Sequence, residues 1–119
     1  MDDLLADPGV LIGVIAIESC VQGVNVLQQR DAQGVERQND EAYVLAAQLL
    51  AAQLNLAAGS EYCPASDRVV SEAQLLLLEL NFDATSSYLG PPRSNQDAGT
   101  AKRLVEQLAS YNAGALCVP

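Results

Sequence analysis

The clearest hydrophobic pattern in the chain runs from Asp40 to Gly59, DEAYVLAAQLLAAQLNLAAG. Leu45, Leu49, Ala52 and Leu56 recur at helical spacing, and Leu50, Leu54 and Ala57 form a second stripe beside them. Ala and Leu have the highest intrinsic helix propensity. Asn39 or Asp40 is placed to accept from the free amides of a first turn, and Gly59 to end the helix in a left-handed conformation. Only Gln48, Gln53 and Asn55 interrupt the apolar surface, so the pattern predicts a largely buried helix over residues 40–58.

Two further stripes follow. Val69, Ala73, Leu76 and Leu80, flanked by Val70 and Leu77, predict a helix over 67–80. Ala101, Leu104, Val105 and Leu108 predict a third over 98–112, with Lys102, Arg103 and Glu106 outward and Gly114 as its stop. Ser60 to Ser66 reads as a tight connection with Cys63-Pro64 at its middle. Asn81 to Asp97 is a long loop, since Gly90-Pro91-Pro92 excludes a helix through it. Short links favour antiparallel neighbours, so an up-down-up arrangement is expected.

The front of the chain is patterned differently. Residues 1–9 are an acidic leader. VLIGVIAI, residues 10–17, is Val/Ile-rich and reads as a strand, with a helix started by Asp7 and Pro8 as the alternative. Residues 21–29, VQGVNVLQQ, alternate around Val24 and Val26 and read as a second extended segment, and residues 30–39 as a polar loop. The expected fold class is mainly α: a three-helix antiparallel bundle with an N-terminal extended apolar segment and room for short β-strands. The expected parts are a leader (1–9), an extended segment and entry strand (10–30) and a helical domain (31–119).

Charge and composition narrow the function classes. The 119 residues carry a net charge of -9, no His, no Trp and one Phe, so the core must be aliphatic. Such an acidic chain repels nucleic acid and anionic membrane surfaces, and Arg68, Lys102 and Arg103 are too few for a nucleic-acid patch. Lack of His removes the commonest general base and zinc ligand. The acidic opening MDDLLADPG is unlike a signal peptide, and Val10 to Ile17 is too short to span a bilayer.

The candidate chemistry is sparse. Asp31, Asp40, Glu41 and Asp83 offer hard oxygen ligands for calcium, but their spacing is not that of an EF-hand, and capping or solvated charge is the simpler role. Glu72 and Glu79 share a helix face that reads as exposed and polar. Cys63 has no His to activate it as a nucleophile. No catalytic residue, metal or cofactor is expected. The three cysteines, Cys20, Cys63 and Cys117, form no CxxC pair; they are either buried thiols or one bridge with one left over. In the up-down-up arrangement Cys63 and Cys117 flank helix termini at the same end, which makes them the best-placed pair. Cys20 is then unpaired, or an alternative partner.

AYVLAAQLLAAQLN, AAGSEYC, VVSEAQLLL, FDATSSYLGP and LASYNAGALC, with CVQGVNVLQQRD upstream, together resemble a repeated module of secreted, multidomain bacterial surface proteins. The resemblance covers about Cys20 to Cys117 and leaves VLIGVIAI outside it. It implies an extracellular or cell-surface location and a non-enzymatic role, with other surface-protein domains as partners. Val10, Leu11, Ile12, Val14, Ile15 and Ile17 add an uncharged, β-prone segment whose amides would lack partners as a lone strand. The segment is therefore expected to pair with another copy, giving a homo-oligomer or filament, with internal packing beside residues 21–29 as the alternative. The alternative function is a small-ligand or calcium-binding module of a secreted protein.

Overall fold

The computed structural model describes residues 10–17, 19–38, 40–57, 63–85, 88 and 96–114. The order is β1 (Val10–Ile12), β2 (Ile15–Ile17), α1 (Cys20–Leu27), α2 (Glu41–Ala57), α3 (Pro64–Glu79) and α4 (Gln96–Asn112). The protein is mainly helical, with four helices among the described residues where the apolar stripes predict three. The acidic leader and Gly59 lie outside the described residues.

α2 is the centre of the bundle and packs on α1, α3 and α4. Asp40 is its N-cap, accepting from the Ala42 amide at 3.0 Å. Leu45, Leu49, Leu50 and Ala52 are fully buried, while Ala57 at the end of the second stripe is exposed. The polar interruptions serve the packing. Asn112 near the end of α4 donates to Gln48 Oε1 at 2.8 Å, and Asn55 donates to Asn112 Oδ1 at 2.9 Å. These bonds place the end of α4 beside the second half of α2. Tyr43 in the first turn of α2 meets Phe82, just past the end of α3, at 5.0 Å between ring centroids. α2 and α3 therefore run antiparallel.

α3 begins at Pro64, three residues before the expected Asp67. Proline fits the first helical position, where no amide is required. Ser66 then reaches back to accept from the Cys63 amide at 2.9 Å and is fully buried. α3 ends in a Schellman motif. The Phe82 amide donates to the Leu77 carbonyl at 2.9 Å, the Asn81 amide to Leu78 at 3.0 Å, and Asn81 takes the left-handed conformation at φ 54°. α4 stops at Gly114, φ 81°, as expected. Ala101, Leu104, Leu108 and Tyr111 form its buried face.

The front of the chain departs from the expected strands in two ways. Residues 10–17 form a hairpin rather than one strand, with Val10 opposite Ile17 and Ile12 opposite Ile15. Gly13 leads the two-residue turn at φ 62°, the conformation a type II′ turn demands there. Residues 21–29 are not extended: Cys20–Leu27 is a helix. The Ser19 hydroxyl caps it by accepting from the Gln22 amide at 3.2 Å. Gly23 and Val26, three apart, form its buried side. The Val24/Val26 alternation is too short to outweigh that cap and the burial available against α2.

Candidate functional site

The expected assembly segment spends much of itself on its own subunit. Ile12 and Ile17 are fully buried in the core cluster that also holds Leu49, Leu77 and Leu104. The turn is tied at three points to α3 and to Phe82 just beyond it. Gly13 donates to Gln74 Oε1 at 3.1 Å, Gln74 Nε2 donates to the Gly13 carbonyl at 3.4 Å, and the Val14 amide donates to the Phe82 carbonyl at 3.0 Å. Pairing within the hairpin supplies partners that a lone strand would lack. Val14, 51% exposed at the turn, and the partly exposed Ile15 remain outward. The side chains of Val10 and Leu11 lie outside the described residues.

The acidic candidates are brought near one another but are taken up by the fold. Asp31 is buried. It accepts from the amides of Gln33 and Val35, each at 2.9 Å, and from Arg37 Nε at 3.1 Å. It thereby folds the 31–37 loop around one carboxylate. Asp40 accepts from the Tyr88 amide at 2.7 Å as well as from Ala42, so the α2 cap also holds the loop after α3. Asp83 accepts from the Thr85 and Tyr88 hydroxyls, while its amide donates to the Tyr88 oxygen at 3.0 Å. Tyr43, Phe82 and Tyr88 form an aromatic trio beneath these bonds, with centroids 5.0 to 5.8 Å apart. Among the described residues no group of three or more Cys, Asp and Glu is arranged to hold a metal ion. The oxygens of Asp31, Asp40 and Asp83 serve as internal caps and clasps, the simpler of the two roles expected of them. Glu72 pairs with Arg103 at 3.2 Å across exposed surface, a contact worth little to stability.

These clasps make stability acid-sensitive. The Val35 amide, with the Gln33 amide and Arg37, holds the Asp31 carboxyl below its ordinary 3.8 against the opposing effect of burial. The Thr85 and then the Tyr88 hydroxyls hold Asp83 below the same value. A carboxylate depressed in the folded state contributes stability that is present above its unfolded pKa and is lost as pH falls through the folded one. Urea unfolding is therefore expected to be nearly flat from neutral pH to about 5 and to weaken progressively below about 4. Asp83→Asn is expected to reduce that slope.

Two concavities are lined by described residues. One is half-enclosed, about 200 Å³, between the hairpin, α1 and the loops at residues 30–32 and 83–84. Its walls include Ile15, Ile17, Val26 and Ala84, with Asn25 and Arg30 beside them. The other is a broad shallow groove of about 680 Å³ between α2 and α3, lined by Leu56, Val70, Gln74, Leu75 and Leu78 among others. Leu75 and Leu78 stand 57% and 43% exposed on the outer face of α3. Sequence patterning overlooked this face because the four consecutive leucines 75–78 serve both the core and the outside. It also overlooked Arg30, Gln74 and Ala84, whose significance lies in contacts distant in sequence.

Cys20 is a free, exposed thiol at the start of α1. Cys63 is the N-cap of α3, and Cys117 lies outside the described residues. No described helix is long and apolar enough to cross a membrane. Comparison of the chain with family models, curated proteins and solved structures gave no match.

Proposed function

We propose that this chain is a non-catalytic structural or interaction module of an extracellular or cell-surface assembly, and that it associates with a second copy through the outer face of α3. The observation that carries the reading is the exposed pair Leu75 and Leu78 over the adjoining groove. No described residue lining that groove is charged, in a chain of net charge -9. Two copies joining there would bury apolar surface in a groove whose described lining carries no charge. Gln74 lines the groove and also holds the hairpin turn, so the exposed Val14 adjoins the same side. That keeps a role for the N-terminal segment as part of a contact surface built on its own helices.

The test is light scattering on the full chain across a concentration series. The expected result is concentration-dependent association that Leu75→Glu with Leu78→Glu abolishes and Lys102→Glu, on the exposed surface of α4, does not. A chain that stays monomeric to millimolar concentration, or association unaffected by the double substitution, overturns the proposal. Deleting residues 1–17 does not discriminate, because it also removes Ile12 and Ile17 from the core.

The extracellular reading carries a disulfide proposal, Cys63 to Cys117. It rests on Cys20 being a free, exposed thiol, which leaves Cys63 and Cys117 as the remaining pair in a chain of three cysteines. Non-reducing peptide mapping of secreted material is expected to recover the 63–117 crosslink. Free thiols at both positions would refute it.

A further inference from the structure

The half-enclosed cavity below the hairpin has features that core packing does not account for. Its apolar wall combines Ile15 and Ile17 of β2 with Val26 of α1 and Ala84. Its volume of about 200 Å³ exceeds that of an apolar cavity of about 150 Å³ known to admit benzene. There is space for an organic molecule of several heavy atoms, and more than a single structural water requires.

Arg30 lines this cavity and its guanidinium is not committed elsewhere. Among the described residues the ion pairs are Arg37–Asp31 and Arg103–Glu72, and none of them hydrogen-bonds the Arg30 side chain. The two acidic residues that also line the cavity are engaged within the fold, Asp31 by Arg37 and two amides, Asp83 by Thr85 and Tyr88. The guanidinium thus presents a planar fork of donors, suited to a carboxylate, beside an apolar wall.

The backbone on both sides of the cavity is held in an uncommon conformation. Gln29 takes φ 59° and closes α1 in a Schellman motif, with the Arg30 amide donating to Asn25 at 2.8 Å. That cap turns the chain so that Arg30 comes to the cavity. Ala84 takes φ 63°, which is unfavourable for any residue with a Cβ, yet it carries a methyl into the wall. Its carbonyl accepts from the Ala32 amide at 2.8 Å, clamping the two loops together. Strained backbone of this kind collects at binding sites.

We infer that this cavity binds a small aliphatic carboxylate, with the carboxylate on Arg30 and the hydrocarbon against Ile15, Ile17, Val26 and Ala84. A branched acid of four to six carbons, roughly six to eight heavy atoms, matches the space. The site is separate from the association surface on α3, so each can fail without the other.

The experiment is a titration of the isotope-labelled full chain with isovalerate, followed by amide and methyl chemical shifts. The expected result is saturable shifts at Ile15, Val26, Arg30 and Ala84 with millimolar affinity. Isovaleramide, which has the same shape without the charge, is expected to bind at least tenfold more weakly, and so is isovalerate to Arg30→Gln. Arg30 makes no side-chain bond to any described residue, so the variant is expected to retain the wild-type spectrum outside the cavity. No saturable shift at 50 mM isovalerate, about fifty times a dissociation constant of 1 mM, overturns the inference. So does isovaleramide or isoamylamine binding as tightly as the acid, or Arg30→Gln binding unchanged.

Discussion

Replacing Leu49 by alanine is expected to lower the unfolding free energy by about 2–5 kcal/mol, measured by urea titration at neutral pH. Leu49 is fully buried at the middle of α2, the helix that packs on the other three. Truncation removes the transfer free energy of the lost methyl groups and leaves a cavity lined by rigid neighbours. The upper part of the range applies if the site cannot collapse. Helix propensity works in the opposite direction, because alanine is the best helix former, but the gain is a few tenths of a kcal/mol at most. A loss below about 1 kcal/mol would mean that α2 is not the centre of the core.

Gly13→Ala is expected to cost roughly 2–4 kcal/mol, and two separate penalties contribute. The residue sits at φ 62°, where a Cβ costs about 1–2 kcal/mol. The added carbon would also lie 2.7 Å from the Phe82 carbonyl oxygen and 3.0 Å from the Phe82 Cβ. The nearest atom is backbone, fixed by the Schellman end of α3, so it cannot swing aside, and overpacking costs about 1–3 kcal/mol. Denaturant unfolding of Gly13→Ala beside Gly34→Ala separates the terms. Gly34 also has a positive φ but nothing within 4 Å of a Cβ, so its substitution should show the conformational penalty alone. Equal losses at both positions would indicate that the close approach to Phe82 is absent.

The long helices were legible because their apolar stripes persist over three turns or more and their ends carry readable signals, Asp40 at one and Gly114 at another. α1 was hidden for local reasons. It is short, it holds Gly23 on its buried side, and it stops at Gln29, a left-handed residue that is not glycine. Ser19 was the one visible cap. The hairpin was hidden because eight apolar residues in a row carry no alternation, and Gly13-Val14 is a weaker turn signal than Asn-Gly. The acidic residues were legible as caps, but their partners were not. Asp40 reaches Tyr88 across 48 positions and Gln74 reaches Gly13 across 61. Single-sequence periodicity carries no information on such pairs. The cavity depends on the same kind of distance, since its wall joins Ile15 to Ala84.

The hold of Gln74 and Phe82 on the hairpin turn sets an order of events during folding. Closing a ring of that length costs chain entropy before its bonds can repay it. The acceptor at Phe82 also exists in the right place only after α3 has formed and turned at Asn81. α2 and α3, nearly adjacent in sequence, can meet first, with the hairpin arriving on a surface they have already built. Reversal follows the same route. The hairpin is the part that can lift away while the long helices stay packed, and its departure would uncover Leu77 and Phe82 ahead of any global unfolding.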